Sequence, residues 1–158
     1  MPHVIRLRGP WHYQALARTV LLRDGLTAQE PGDLPPPGRT SMPSDWGDSL
    51  GSDFRGQVRY TRTFHRPTGL DKGQRVAVTL QQVDAWGRVW LNGHLLGEIP
   101  PAACETRFEV TDQLLERNEL TVEVELPRVT PDSPPLARPA QRAGKPGGLV
   151  GEVRLEIG

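Results

Sequence analysis

The chain has 158 residues and a mass of 17.5 kDa, the size of one domain with a buried core. Its 19 Lys and Arg balance 19 Asp and Glu, so it lacks the basic excess of a protein that grips nucleic acid or anionic membranes. A hydrophobic share of 36% with 17 Gly and 16 Pro argues against a helical bundle and for a loop-rich β fold.

From the N-terminus onward, no apolar run of the ~7–15 residues of a secretory signal follows the first basic residues. No stretch approaches the ~18 apolar residues needed to span a bilayer. A cytoplasmic chain with neither a membrane nor a nucleic-acid partner is expected. Residues 14–22 fit strand or helix locally, and the strand patterns around them favour strand. Residues 30–44 hold Pro31, Pro35, Pro36, Pro37 and Pro43, a density that cannot feed a sheet ladder, and are expected as a loop.

Val58, Tyr60 and Phe64, then Val76, Val78 and Leu80, recur at every second position as strands with one buried face do. Asn92 and Gly93, between two apolar runs, are a hairpin signal, because both central residues of a type I′ turn need positive φ. Phe108 and Val110 form a shorter set, and residues 111–116 suit a single helical turn capped by Thr111 or Asp112. Leu120, Val122, Val124 and Leu126 alternate with Glu119, Thr121, Glu123 and Glu125; Val153, Leu155 and Ile157 repeat the pattern. Between them, residues 127–148 form a second Pro-rich loop carrying Arg128, Arg138, Arg142 and Lys145. It reads as a solvated or mobile excursion, although loops of this length are often functional. One domain over 1–158, an all-β antiparallel β-sandwich of the jelly-roll kind, is therefore expected.

Chemistry is harder to find. A catalytic carboxylate pair must converge in a cleft, whereas Glu109, Asp112, Glu119, Glu123 and Glu125 sit on alternating solvent faces. His3, His12, His65 and His94 lack metal-ligand spacing. Cys104 stands alone, so it makes neither an intrachain disulfide nor a multi-thiolate zinc site. By strand parity Tyr60, Phe64 and Phe108 belong to the core, while Trp90 faces the second layer or solvent. Trp86, read as lying in a loop, is the best candidate for an exposed ring, as a sugar platform or as a lid over the sandwich end. Arg62 shares an apolar parity and needs a partner, either Asp84 as an ion pair or a ligand.

The ordered series of motifs resembles the N-terminal sugar-binding domain of glycoside hydrolase family 2. Leu7, Gly9 and Trp11 are similar to its opening L-x-G-x-W, and Pro43 with Trp46 to P-x-x-W. Gly56, Tyr60, Arg62 and Phe64 resemble G-x-x-x-Y-x-R-x-F. Val83, Asp84, Val89, Asn92, Gly93 and Gly97 resemble the G-V-D…V-x-x-N-G…x-G hairpin. Residues 108–112 and 118–122 are similar to F-x-x-D-V-T and G-x-N-x-L-x-V, and Gly147, Gly148, Val153 and Leu155 to the closing G-G-I-x-x-x-V-x-L. Gln82 and Arg117 stand where the family has Gly, and the loop after Leu126 is enlarged.

The resemblance implies a galactose-binding-domain-like sandwich. It also implies that the two catalytic Glu lie on a separate (β/α)8 barrel of roughly 250 residues, for which this chain has no room. The expectation is a module that is not an enzyme, binding a saccharide through Trp86, Arg88, Arg62 and Asp84. The alternatives are a structural accessory protein that docks on a separately encoded glycoside hydrolase or self-associates, and a hydrolase fragment parted from its barrel. Sandwiches of this type often hold a structural calcium, but no dense Asp/Asn loop stands out, so no cofactor or metal is expected.

Overall fold

Apolar alternation becomes strand pairing nearly everywhere the sequence shows it. A computed structural model describes residues 3–158. Its first strands are β1 (His3–Arg6), β2 (Trp11–Leu21), β3 (Thr27–Glu30), β4 (Gly38–Thr40) and β5 (Ser44–Asp45), followed by one helical turn, α1 (Gly47–Leu50). Next come β6 (Gly56–His65), β7 (Val76–Leu80), β8 (Val83–Asp84), β9 (Trp86–Leu91) and β10 (His94–Ile99). The chain ends with β11 (Thr106–Glu109), β12 (Arg117–Leu126), β13 (Gly148–Leu149) and β14 (Val153–Ile157).

The larger sheet runs β10-β9-β12-β6-β2-β3, with β4 also on β2; the facing sheet runs β1-β14-β7-β11. A small sheet, β5-β13-β8, joins distant parts of the chain at one end. Every ladder is antiparallel. Leu120, Val122, Val124 and Leu126 of β12 turn inward against Val76, Val78 and Leu80 of β7 and Val153 and Leu155 of β14. Each buried Val or Leu side chain contributes roughly 1.5–3 kcal/mol by leaving water, so this double layer holds the fold. In β7 even the outward Ala77 and Thr79 are covered. Thr79 lies level with Arg107 and Arg154 on the neighbouring strands, and its Oγ1 meets Glu156 at 3.4 Å.

Residues 14–21 fall in strand β2, with Leu22 just past its end and a register shift between Ala15 and Ala17. The Asn92–Gly93 hairpin forms with φ values of 52° and 82°. Phe108 is half-buried and packs over Gly97, where a Cβ would lie 2.7 Å from the ring.

Four expectations need correction. The helical turn forms as a 3-10 turn over Thr111–Gln113 whose cap position is Val110; the Thr111 hydroxyl instead accepts a hydrogen bond from the Val76 N–H at 2.9 Å. The 30–44 loop contains β4 and runs into β5. The 127–148 loop is no solvated excursion, because Arg138 and Arg142 keep only 11% and 13% of their side chains exposed and anchor it to the sandwich. Glu125 is nearly buried, at 9% exposure, although its parity points outward.

Candidate functional site

The outer face of the larger sheet collects the unusual side chains. In β9 the inward residues Gly87, Val89 and Leu91 are buried, which turns Trp86, Arg88 and Trp90 to the other face. Gly87 is required there, since a Cβ would sit 2.6 Å from the Glu123 carbonyl of β12. The register then sets three cross-strand rows. Trp86 lies beside Glu125 and Gln57, Arg88 beside Glu123 and Arg59, and Trp90 beside Thr121, Thr61 and His12. Trp86 thus belongs to a strand rather than the expected loop, and Trp90 faces outward.

Around the first row is a cleft of ≈ 940 Å³ walled by Pro100, Pro101, Pro134 and Leu136. A second hollow of ≈ 850 Å³ surrounds the third row, and Glu123 borders both. Proline walls need no ladder partner, so two loops can close over the strand ends without stranding N–H groups.

The polar groups of the first cleft are held in place. Arg88 Nε donates to Glu98 at 3.1 Å, and Arg59 lies 2.9 Å from Glu123. Glu125 Oε1 accepts from Gln57 Nε2 at 3.3 Å, while no donor among the described residues reaches Oε2. A buried carboxylate oxygen without a donor is costly, about 1–3 kcal/mol or more for a charged group.

Asp84 and Arg62 are not part of this cleft. Asp84, in β8, is 0% exposed and is enclosed by Arg138, at 2.9 and 2.6 Å, and by Arg142 Nε at 2.8 Å. Arg138 also donates to the Lys145 carbonyl at 2.8 Å and Arg142 to that of Pro146, which pins the loop that precedes β13. Asp84 is therefore a structural clamp.

The expected Arg62–Asp84 pair does not form. Arg62 projects on the inward parity of β6, level with Leu120, and Nη1 donates to the Pro10 carbonyl at 3.2 Å. Burial pushes its guanidinium pKa down. The Leu120 row lies five residues along β12 from the Glu125 row, about 17 Å at the usual strand rise. Arg62 and Trp86 thus occupy opposite faces and opposite ends of the sheet.

Of the four residues singled out from the sequence, only Trp86 and Arg88 come together. Gln57 and Glu125 join them in the first cleft, while Trp90 lines the second hollow; none of the three was singled out as a site residue. The alternation of residues 86, 88 and 90 against 87, 89 and 91 was available to find Trp90; Gln57 and Glu125 needed the register. Cys104 is exposed in the loop before β11. Among the described residues, no cluster of three or more His, Cys, Asp or Glu is placed to hold a metal ion, and no helix is long and apolar enough to cross a membrane.

This architecture has known counterparts. The model of the glycosyl hydrolase 2 galactose-binding-domain-like family matches residues 54–139, more than half of the chain, and the chain belongs to that family. Its fold is that of a Bifidobacterium dentium β-glucuronidase complexed with coumarin-3-O-glucuronide, at 23% identity and a TM-score of 0.70, over 99% of this chain and 30% of that one. A Faecalibacterium prausnitzii β-glucuronidase superposes at 19% identity and 0.71, over 99% and 31%. A Bacteroides uniformis β-glucuronidase does so at 19% and 0.70, over 99% and 18%. The chain therefore spans less than a third of the length of each of these proteins. No curated protein sequence matches it.

Proposed function

We propose that this chain is a non-catalytic, carbohydrate-binding module of the glycosidase family 2 type, holding a saccharide in the cleft floored by Trp86, Glu125 and Gln57. The observation that carries this reading is a half-buried indole, Trp86, lining one cleft together with the planar polar side chains of Arg88 and Gln57. An indole face covers the apolar side of a sugar ring, and planar groups such as Arg88 and Gln57 take up its hydroxyls. The non-catalytic part rests on the state of the acids: Glu98 and Glu123 are tied to arginines and Glu125 to an amide, so each carboxylate that lines the cleft is already engaged by a neighbour.

Titration of the protein with neutral mono- and disaccharides, followed by tryptophan fluorescence and calorimetry, tests it. Saturable binding that Trp86→Ala abolishes without loss of fold supports the reading. Flat titrations with every sugar overturn it, and release of nitrophenol from aryl glycosides by the purified protein overturns its non-catalytic part.

A second reading has its own observation. Leu22, Leu26 and Val129 are 40%, 66% and 53% exposed where β2 ends beside the following loop, and Leu26 also borders the cleft. Neighbouring exposed apolar side chains suit docking on a glycosidase domain or on a second copy. A partner-induced stabilisation, or a dimer in light scattering that Leu26→Glu dissolves, favours this alternative; a monomer insensitive to every family 2 catalytic domain tested removes it.

A further inference from the structure

We infer that the ligand is an extended, uncharged oligosaccharide that lies along β9 and uses Trp86 and Trp90 as two separate platforms. This rests on the reading of the Trp86 cleft as a saccharide site and extends it across the second hollow.

The spacing is the first argument. Trp86 and Trp90 are four residues apart on one face of one strand, which puts their Cα atoms about 13–14 Å apart. A single pyranose ring is too small to reach both. Each indole is half-buried and borders its own hollow, and the two hollows meet at Glu123. Between the platforms stands Arg88, held by Glu98 at 3.1 Å, with its guanidinium available to the hydroxyls of a middle sugar. Farther across the sheet, Thr121 and Thr61 put small hydroxyls beside Trp90, which leaves the floor there low enough for a chain to pass.

Charge is the second argument. The two hollows carry Arg39, Arg59 and Arg88 against Glu98, Glu119, Glu123 and Glu125, three positive groups minus four negative, a net −1. Arg59 and Arg88 are already engaged by Glu123 and Glu98. A row of uronate groups would meet four carboxylates here against Arg39 alone among the lining cations not paired with an acid, and a like-charge juxtaposition is unfavourable. Neutral hexoses or pentoses have no such conflict. The facing sheet offers no equivalent: its outer surface is laced with Arg6–Glu152, Arg154–Glu105 and Arg107–Glu156 pairs, and the strands β1, β14, β7 and β11 place no tryptophan on it.

Calorimetric titration with cellohexaose, xylohexaose and mannohexaose, each against its disaccharide and against a galacturonate hexamer, tests the inference. For the neutral sugar that binds, the hexamer is expected to bind at least tenfold tighter than the disaccharide. Trp90→Ala should remove that gain while leaving disaccharide affinity unchanged, and Trp86→Ala should abolish both. If Trp90→Ala lowers the melting temperature, Thr121→Gln crowds the same outward row without touching the core and should give the same loss. Equal affinity for dimer and hexamer, or tighter binding of the galacturonate, overturns the inference and leaves the Trp86 cleft intact as a sugar site. No binding of any saccharide overturns both.

Discussion

Arg138 meets Asp84 fork to fork, with Nε 2.9 Å from one carboxylate oxygen and Nη2 2.6 Å from the other. Planar pairs of this kind are the strongest a carboxylate makes with a side chain. Arg142 adds a third donor at 2.8 Å. Because Asp84 has no contact with solvent, its charge is tolerable only while these partners stay in place.

Removing both arginines should therefore be far worse than removing either. Arg138→Ala combined with Arg142→Ala strands a buried carboxylate and is expected to cost about 3–5 kcal/mol. Asp84→Ala should cost less, since both guanidinium groups already touch solvent and can turn toward it. Urea unfolding midpoints of the three variants check this order. The double variant should also be cut by protease within residues 127–147 before the sandwich opens, because the clamp is what holds that loop down.

Asn118 is a second buried polar centre. Its Oδ1 accepts from the Leu115 N–H at 2.8 Å and from Asn92 Nδ2 at 3.0 Å, and its Nδ2 donates to the Leu115 carbonyl at 2.9 Å. Asn118→Leu fills similar volume but leaves the Leu115 backbone unpaired. Thermal unfolding should show a loss of about 1–3 kcal/mol. A hydrophobic gain that outweighs this would mean the network is dispensable.

The pair Glu30–Arg128 sets an acid-side dependence. Arg128 Nε lies 3.1 and 3.2 Å from the two oxygens of Glu30 and holds its carboxyl below the usual value of 4.5, chiefly through these hydrogen bonds. A depressed folded pKa means that the unfolded chain takes up the proton first. The stabilisation is complete above the usual carboxyl range and is lost as pH falls through the lowered folded value. Glu30→Gln should thus lower the melting temperature at pH 7 and make no difference near pH 2. A deficit that persists unchanged at pH 2 would rule out the ionic origin.

The sequence carried most of the fold because alternation is a local property. Leu120, Val122 and Val124 declare their face without reference to any other strand, and Asn92–Gly93 declares its turn. The family motifs added the order of the strands. What could not be read was contact across long separations. Asp84 and Arg138 are 54 residues apart and Asp84 and Arg142 are 58, and nothing periodic links a Pro-rich loop to a carboxylate in a two-residue strand. For the same reason Arg62 looked like the natural partner of Asp84. Glu125 shows the converse limit: parity correctly turned it outward, but the Pro134–Pro135–Leu136 segment that overhangs its cleft belongs to a loop with no repeat to read.

Mapping of backbone amide shifts during titration with a neutral hexasaccharide tests the central claim most directly. Shifts are expected to concentrate on residues 86–90 of β9, 121–125 of β12 and 57–61 of β6, with the amides around Pro10 and Arg62 unmoved. Perturbation centred on the Arg62 end, or on the outer face of β1, β14, β7 and β11, would contradict it, as would a spectrum that no saccharide changes.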